Sequence, residues 1–309
     1  MTVRGVLVTG GTGFIGGHAI RRLLVRGVAV WVWSRDAAAA RKKLGTTVNV
    51  VGALADIPAD APIDGIVNLA GAAAIGPPWT GARRRVLIDS RVKSTEAVIA
   101  WCAARAQRPG ALVSASAIGY YGPGEDEWFD ESSPPQAGVF QSELCRLREL
   151  ATRPAEDVGI RVVNPRIGLV LGADGGILQR LALAAKFGGA AVIGDGRQWM
   201  SWIHIDDMVR VLERALEDET WSGPINAVAP EPVRQREFQR ALTRALRRPL
   251  ILRIPAILLR AGLGEMAELL IKGQRVAPRR LREAGFGFQH PSLDGALRTL
   301  ITNERGEKK

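Results

Sequence analysis

Along the first half of the chain, short apolar runs alternate with stretches that repeat apolar residues every three to four positions. The runs 6–9, 28–33, 66–69, 112–114 and 161–163 are rich in β-branched residues and close on Gly, Ser or Asn, as strands buried on both faces do. Between them lie helical patterns such as "GFIGGHAIRRLLVRG", where Ile15, Ala19, Leu23 and Leu24 form the apolar stripe and Gly27 the stop. Strictly alternating strands and helices predict right-handed crossovers and an α/β fold with a doubly wound parallel sheet. Beyond about Gly172 the pattern loosens. Residues 188–207 read as loop-rich, "GPINAVA" as one more strand, and the rest as helical with a Gly/Pro-broken end. The chain is expected to divide into a sheet domain at 1–170 and a smaller, mostly helical lobe at 171–309, with about 204–230 returning to the sheet. Without an internal repeat or a low-complexity linker, the lobe is expected to pack on the sheet domain.

The composition fits a soluble globular protein: of 309 residues, 47% are apolar and 24% charged. Only the tail "NERGEKK" reads as disordered. No uninterrupted apolar stretch reaches the length of a membrane span, and the apolar run in "MTVRGVLVTGG" is too short for a signal peptide. Cys102 and Cys145 make neither a disulfide framework nor a metal-binding spacing, which fits a reducing cytoplasm and no metal. From Arg234 onward, 17 Lys/Arg face 7 Asp/Glu, so most of the net charge of +11 lies in the last quarter. The arginines of "VRQREFQRALTRALRR" fall at helical spacing. That describes a solvated helix face better than a nucleic-acid surface, though a protein partner on this basic lobe, and a homodimer, stay open.

The strongest chemical signal is "VTGGTGFIGGH", which follows the first strand and opens the first helix. Gly10, Gly13 and Gly16 let the backbone turn tightly and approach a pyrophosphate, while the helix start at Phe14 and Ile15 offers free N–H groups and a positive dipole end. The second strand ends in "WVWSRD". Ser34 and Arg35 at this tip suit the 2′-phosphate of NADP(H); Asp36, one residue on, keeps the ribose hydroxyl of NAD(H) as the alternative.

The loop "TGGTGFIG", "NLAG" at 68–71, "SASAIGYYG" at 114–122 and "WIHIDD" at 202–207 resemble the extended short-chain dehydrogenase/reductases, the nucleotide-sugar epimerase/dehydratase group with a Rossmann sheet. "SRVKST", "RIGLVLGADGG", "NAVAP" and "GQRVAPRRLREAGFGF" are similar to an atypical, epimerase-like NADP-binding subfamily of it. That subfamily includes homologues of a cell-division inhibitor and carries a C-terminal module of unknown function. The resemblance implies that Asn68, Ala70, Gly71 and Ser114 lie along the cofactor, and that Trp199, Trp202 and His204 lie along the substrate. Arg166, with Pro165, ends the sixth strand at the edge where open sheets bind ligands, a place for the cofactor or for an anionic substrate.

The resemblance also implies a catalytic tyrosine and, one helical turn later, a lysine that favours the phenolate. Anchored on Glu149, these positions hold Gln141 and Cys145 in "AGVFQSELCRLREL". Glutamine has no titratable proton and cysteine supplies no positive charge. The serine that completes the set falls on Ser116 when counted from Tyr120 and on Ala117 when counted from Tyr121; Ser116 is favoured. Arg91 stands where an asparagine is common, and Ala53 where an aspartate commonly meets the adenine. Tyr120 or Tyr121 is a replacement proton donor, set against a role as pocket wall or core aromatic. Cys145 is a nucleophile or a small buried thiol. His204 is a general base, half of a metal site, or a packed wall residue ahead of a helix capped by Asp206 or Asp207. Trp199, Met200 and Trp202 form an aromatic floor or bridge the lobes.

Three functions follow in order of preference. The first is an NADP(H)-dependent oxidoreductase acting on a small carbonyl or imine, with Ser116, Tyr120 or Tyr121 moving the proton. The second is a non-catalytic NADPH-binding regulator. The third is a nucleotide-sugar epimerase, whose mechanism depends most on the absent pair.

Overall fold

The computed structural model describes residues 3–186, 190–249 and 252–306. At its centre is an eight-stranded sheet in which every pairing is parallel. Five strands come from the first half of the chain: β1 Gly5–Thr9, β2 Ala29–Trp33, β3 Asn49–Val51, β4 Gly65–Asn68 and β5 Ala111–Ser114. The order across the sheet is Gly223–Ala227, Arg161–Ile167, β5, β4, β1, β2, β3, with the two-residue strand Ser116–Ala117 added beside Arg161–Ile167. This is the doubly wound Rossmann arrangement.

Alternation within the strands explains the two covered faces. Val6, Val8, Val67, Val113 and Val163 point into one core, beneath α1 Phe14–Val25 and the helix Ile205–Glu217. Their neighbours Leu7, Ile66, Leu112 and Val162 point into the other, beneath α3 Gly81–Ala103. A side-chain period of two with both sets apolar requires helices on both faces. On α1 the buried residues are Gly16, Ala19, Ile20 and Leu23, with Ile15 and Leu24 packed at the margin of the same core.

The second lobe holds a core of its own, built around Trp202, Phe238, Leu242, Leu297 and Leu300. The stretch expected to be loop-rich instead carries the short strands Ala191–Ile193, Trp199–Met200 and Trp202–His204; its residues 188 and 189 lie outside the described residues. Each strand pairs with a partner distant in sequence, at Leu252–Ile254, Val233–Arg234 and Leu169–Leu171 respectively, so no local periodicity announces it. The tail expected to be disordered is helical as far as Gly306, in Leu293–Gly306; residues 307–309 lie outside the described residues.

Candidate active site

One cleft of about 620 Å³ runs between the sheet domain and the lobe. At one end it is lined by Gly10, Gly13, Phe14, Ile15 and Gly16, and at the other by Trp199, Met200, Leu269, Leu270 and Gln274. The glycine end is shaped by sterics. Gly10 has φ +67°, and a Cβ on Gly16 would stand 2.4 Å from the Gly10 carbonyl oxygen. The first turn of α1 has no side-chain cap and no acidic residue, so its amide N–H groups stay available to an anion.

The tip of β2 separates the two cofactor alternatives. Asp36 caps α2, Ala37–Leu44, accepting the Ala39 amide at 2.9 Å, so its carboxylate is committed to the helix. Ser34 donates to the Asp36 carbonyl, and Arg35 is exposed with no ion pair among the described residues. Lys43 Nζ, which the sequence reading missed, donates to the Thr12 carbonyl at 2.7 Å and adds a cation at the glycine loop. These residues fit a dinucleotide with a 2′-phosphate.

The middle of the cleft is walled by α4, Phe140–Leu150, whose buried residues include Gln141, Cys145 and Arg148. Gln141 and Cys145 pack against Gly119, where a Cβ would lie 3.8 Å from each. Gln141 has no hydrogen-bond partner among the described residues. Burial, reinforced by the Glu149 charge, pushes the Cys145 thiol up to about 11, which disfavours the thiolate a nucleophile needs. Ser116 lines the cleft and donates to Glu149 Oε1 at 2.7 Å; Ala117 lines it as well.

Several residues expected at the site do other work. Arg166 is 3% exposed and makes a two-bond ion pair with Glu149, both bonds 2.9 Å, while donating to the Tyr121 hydroxyl at 3.0 Å. Tyr121 is buried, donates to Asn226 Oδ1 at 2.6 Å, and is pushed up to about 12 by burial; it is a core aromatic. Tyr120 lies across the Arg166 guanidinium, 3.4 Å from ring centroid to carbon, and neither tyrosine lines the cleft. Asn68 and Ser114 are fully buried. Asn68 accepts from Thr9 and donates to Thr95 and Ser114, which leaves no part of it for a cofactor. Ala70 donates its amide to Thr9 Oγ1, and Gly71 lies under Arg91. The exposed Ala53 starts a short 3₁₀ turn, its amide bonded to Asp56.

Of the lobe residues, Trp199 lines the cleft. Trp202 is instead a core residue, 0% exposed, its Nε1 donating to the Glu231 carbonyl. His204 is also away from the cleft. It caps Ile205–Glu217 itself, Nδ1 accepting the Asp206 amide at 3.1 Å, where Asp206 or Asp207 was expected to be the cap. Asp207 is 0% exposed and accepts the amides of Gln289 and His290, tying the C-terminal module to this helix. His204, Asp206 and His290 present ligand-type atoms within 4.8 Å of one another. The two imidazole rings stack at 3.6 Å with planes 23° apart, and His204 Nδ1 is engaged by the Asp206 amide.

The sequence reading also missed Arg148, Gln239, Leu269, Leu270 and Gln274 as cleft residues. Arg148 was legible: it continues the Gln141 and Cys145 stripe at i+7. The others come from a segment with no local mark of its return to the cleft.

The profile of the NAD dependent epimerase/dehydratase family matches residues 6–227, and that of a domain of unknown function, DUF1731, matches 254–300. The epimerase family protein YfhF of Bacillus subtilis (strain 168) is 36% identical over 301 residues, 97% of this chain and 99% of that protein. An epimerase family protein of Mycobacterium bovis is 42% identical over 236 residues, 76% and 77% of the two chains. Among solved structures, human epimerase family protein SDR39U1 (isoform 2) with NADPH superposes with a TM-score of 0.87 at 32% identity, covering 97% of this chain and 99% of that one. The chain belongs to the NAD-dependent epimerase/dehydratase family, as an extended short-chain dehydrogenase/reductase with a C-terminal DUF1731 domain.

Proposed function

We propose that this chain is an NADP(H)-dependent oxidoreductase acting on a small carbonyl or imine substrate. The observation that carries the reading is the mostly apolar cleft whose wall takes in both the start of the uncapped glycine-loop helix and Trp199 and Leu270. The human relative of 32% identity, solved with NADPH, supports the choice of nucleotide. The amides at the start of α1 hold the pyrophosphate, and Arg35, with Ser34, holds the 2′-phosphate. Bound NADP(H) supplies or accepts the hydride. The walls do the rest: Leu269, Leu270 and Trp199 keep water out, and Gln141 donates a hydrogen bond to the substrate's oxygen or nitrogen.

Ser116 donates its hydroxyl hydrogen bond to Glu149, so its oxygen is left as an acceptor on the cleft that orients the substrate. Neither Gln141 nor Ser116 titrates in the range of a catalytic tyrosine, so the rate should show no limb from such a group. This fits a reaction limited by positioning more than by acid catalysis.

Side-by-side titration with NADPH and NADH, on the parent protein and on Arg35→Ala, tests the cofactor. Loss of Arg35 is expected to weaken NADPH about 10- to 100-fold, the worth of one or two charge-assisted hydrogen bonds, and to leave NADH nearly unchanged. Equal loss for both nucleotides would count against the 2′-phosphate clamp. The second reading, an NADPH-binding regulator, is favoured by Gln141, which has no titratable proton, and by the buried Cys145, which carries no positive charge. It predicts cofactor binding with no turnover on any carbonyl or imine, and a partner whose affinity follows the bound nucleotide.

A further inference from the structure

Two guanidinium groups stand in the cleft wall without a carboxylate. Arg148, on α4, is 7% exposed; its Nη2 donates to the Asn68 carbonyl at 2.9 Å, and its Nε is buried with no partner. Arg91, on α3, donates to the carbonyls of Leu87 and Ala72 at 2.9 and 3.0 Å. Both line the cleft together with Cys145, and neither forms an ion pair with any described residue.

Burial, and then the Arg91 charge, pushes the Arg148 guanidinium down to about 9; burial lowers Arg91 as well. A guanidinium does not release its proton in a protein, so two like charges persist in a poorly solvated wall. Arg166 is the internal contrast: equally enclosed, it has both Glu149 oxygens opposite it. Buried charges in a stable fold are normally paired, and an unpaired one is costly. One buried unpaired charge, Arg148, with the half-buried Arg91 also on the ligand cleft, places the missing counterion on the ligand.

We propose that Arg91 and Arg148 form a subsite for an anionic group, a carboxylate or a phosphate, in the cleft wall between the end of β4 and α4. The group belongs either to the substrate or to the pyrophosphate of the dinucleotide, since β4 adjoins the strand that leads into the glycine loop. As a statement about substrate it rests on the oxidoreductase reading above; as a statement about anions it does not.

The test is thermal melting of the full chain in inorganic phosphate against chloride at equal ionic strength, with and without saturating NADPH. It is made on the parent protein, Arg91→Gln, Arg148→Met and, as a control at the other phosphate site, Arg35→Ala. Phosphate at tenfold its dissociation constant is expected to raise Tm by about 3 °C in the parent and in Arg35→Ala, and by nothing in the other two variants. A rise that survives NADPH assigns the subsite to the substrate's anion. A rise that NADPH abolishes assigns it to the cofactor's pyrophosphate. No rise in the parent, or an equal rise in Arg91→Gln and Arg148→Met, overturns the proposal. Each substitution removes a repelling charge and is expected to fold in chloride; if one does not, the other and the parent still decide. Failure of the oxidoreductase reading shows separately, as absent NADPH binding or absent turnover on any carbonyl or imine, with the phosphate response intact.

Discussion

Glu149 accepts two bonds from the buried Arg166 and a third from Ser116, so one carboxylate both compensates an interior charge and aims a cleft hydroxyl. Arg166 in turn carries the Tyr120 and Tyr121 rings on its face. Removing the acid strands a guanidinium that is 3% exposed, a loss of about 3–5 kcal/mol for a broken buried pair. Glu149→Ala is therefore expected to lower the urea midpoint strongly, and a loss below about 1 kcal/mol would mean that water reaches Arg166. The same residue shows what was legible. Glu149 served as the anchor for the catalytic positions, but its partner Arg166 lies 17 residues on, in the strand Arg161–Ile167, and nothing local joins the two.

At the scale of elements, α4 and the helix Ile205–Glu217 behave differently from what their sequences suggest. Both stripes of α4 are largely buried, one against α3 and one on the cleft, because the helix is wedged between two surfaces. The Ile205–Glu217 helix takes its cap from a neutral imidazole. Burial, and then the adjacent His290, hold His204 down to about 4, below the ordinary 6.5, while Asp206 and Asp207 pull the other way. The unfolded chain then takes up the proton first as pH falls. This contribution to stability is whole above about 6.5 and is lost progressively towards pH 4. Urea midpoints at pH 7 and pH 5 check this: the parent should lose stability, and His204→Asn, which keeps a capping oxygen without titrating, should lose less. Equal slopes for the two would remove His204 from the account.

For the whole molecule, the C-terminal module is woven into the fold and is not appended to it. Leu281 and Phe286 complete the core beneath the sheet, Leu293 to Ile301 complete the second core, and Leu269 to Gln274 close the cleft. Arg279 reaches Asp130, and Arg84 pairs with Glu265, across the two parts. Several arginines of the basic last quarter are occupied in this way, so its charge serves internal joints as well as the surface. Because cores shared by two segments melt together, calorimetry should give a single transition. Two resolved transitions would mean that 254–300 folds on its own. Among the described residues no helix is long and apolar enough to cross a membrane.

The sequence by itself determined the parallel sheet and the glycine loop that opens α1, because strand alternation, helical stripes and a tight backbone turn are local properties, written in neighbouring residues. The stripe of Gln141 and Cys145 along one helix was likewise readable from spacing alone. Only the tertiary structure decided which side chains meet. It turned Asp36 into a cap, sent Tyr121, Trp202 and His204 into the interior, gave Arg166 to Glu149 and left Arg148 and Arg91 without a counterion. A side chain's direction depends on what packs against it, and for these residues the partners come from elements tens of residues away. Burial then sets which charges find an acid and which must wait for a ligand.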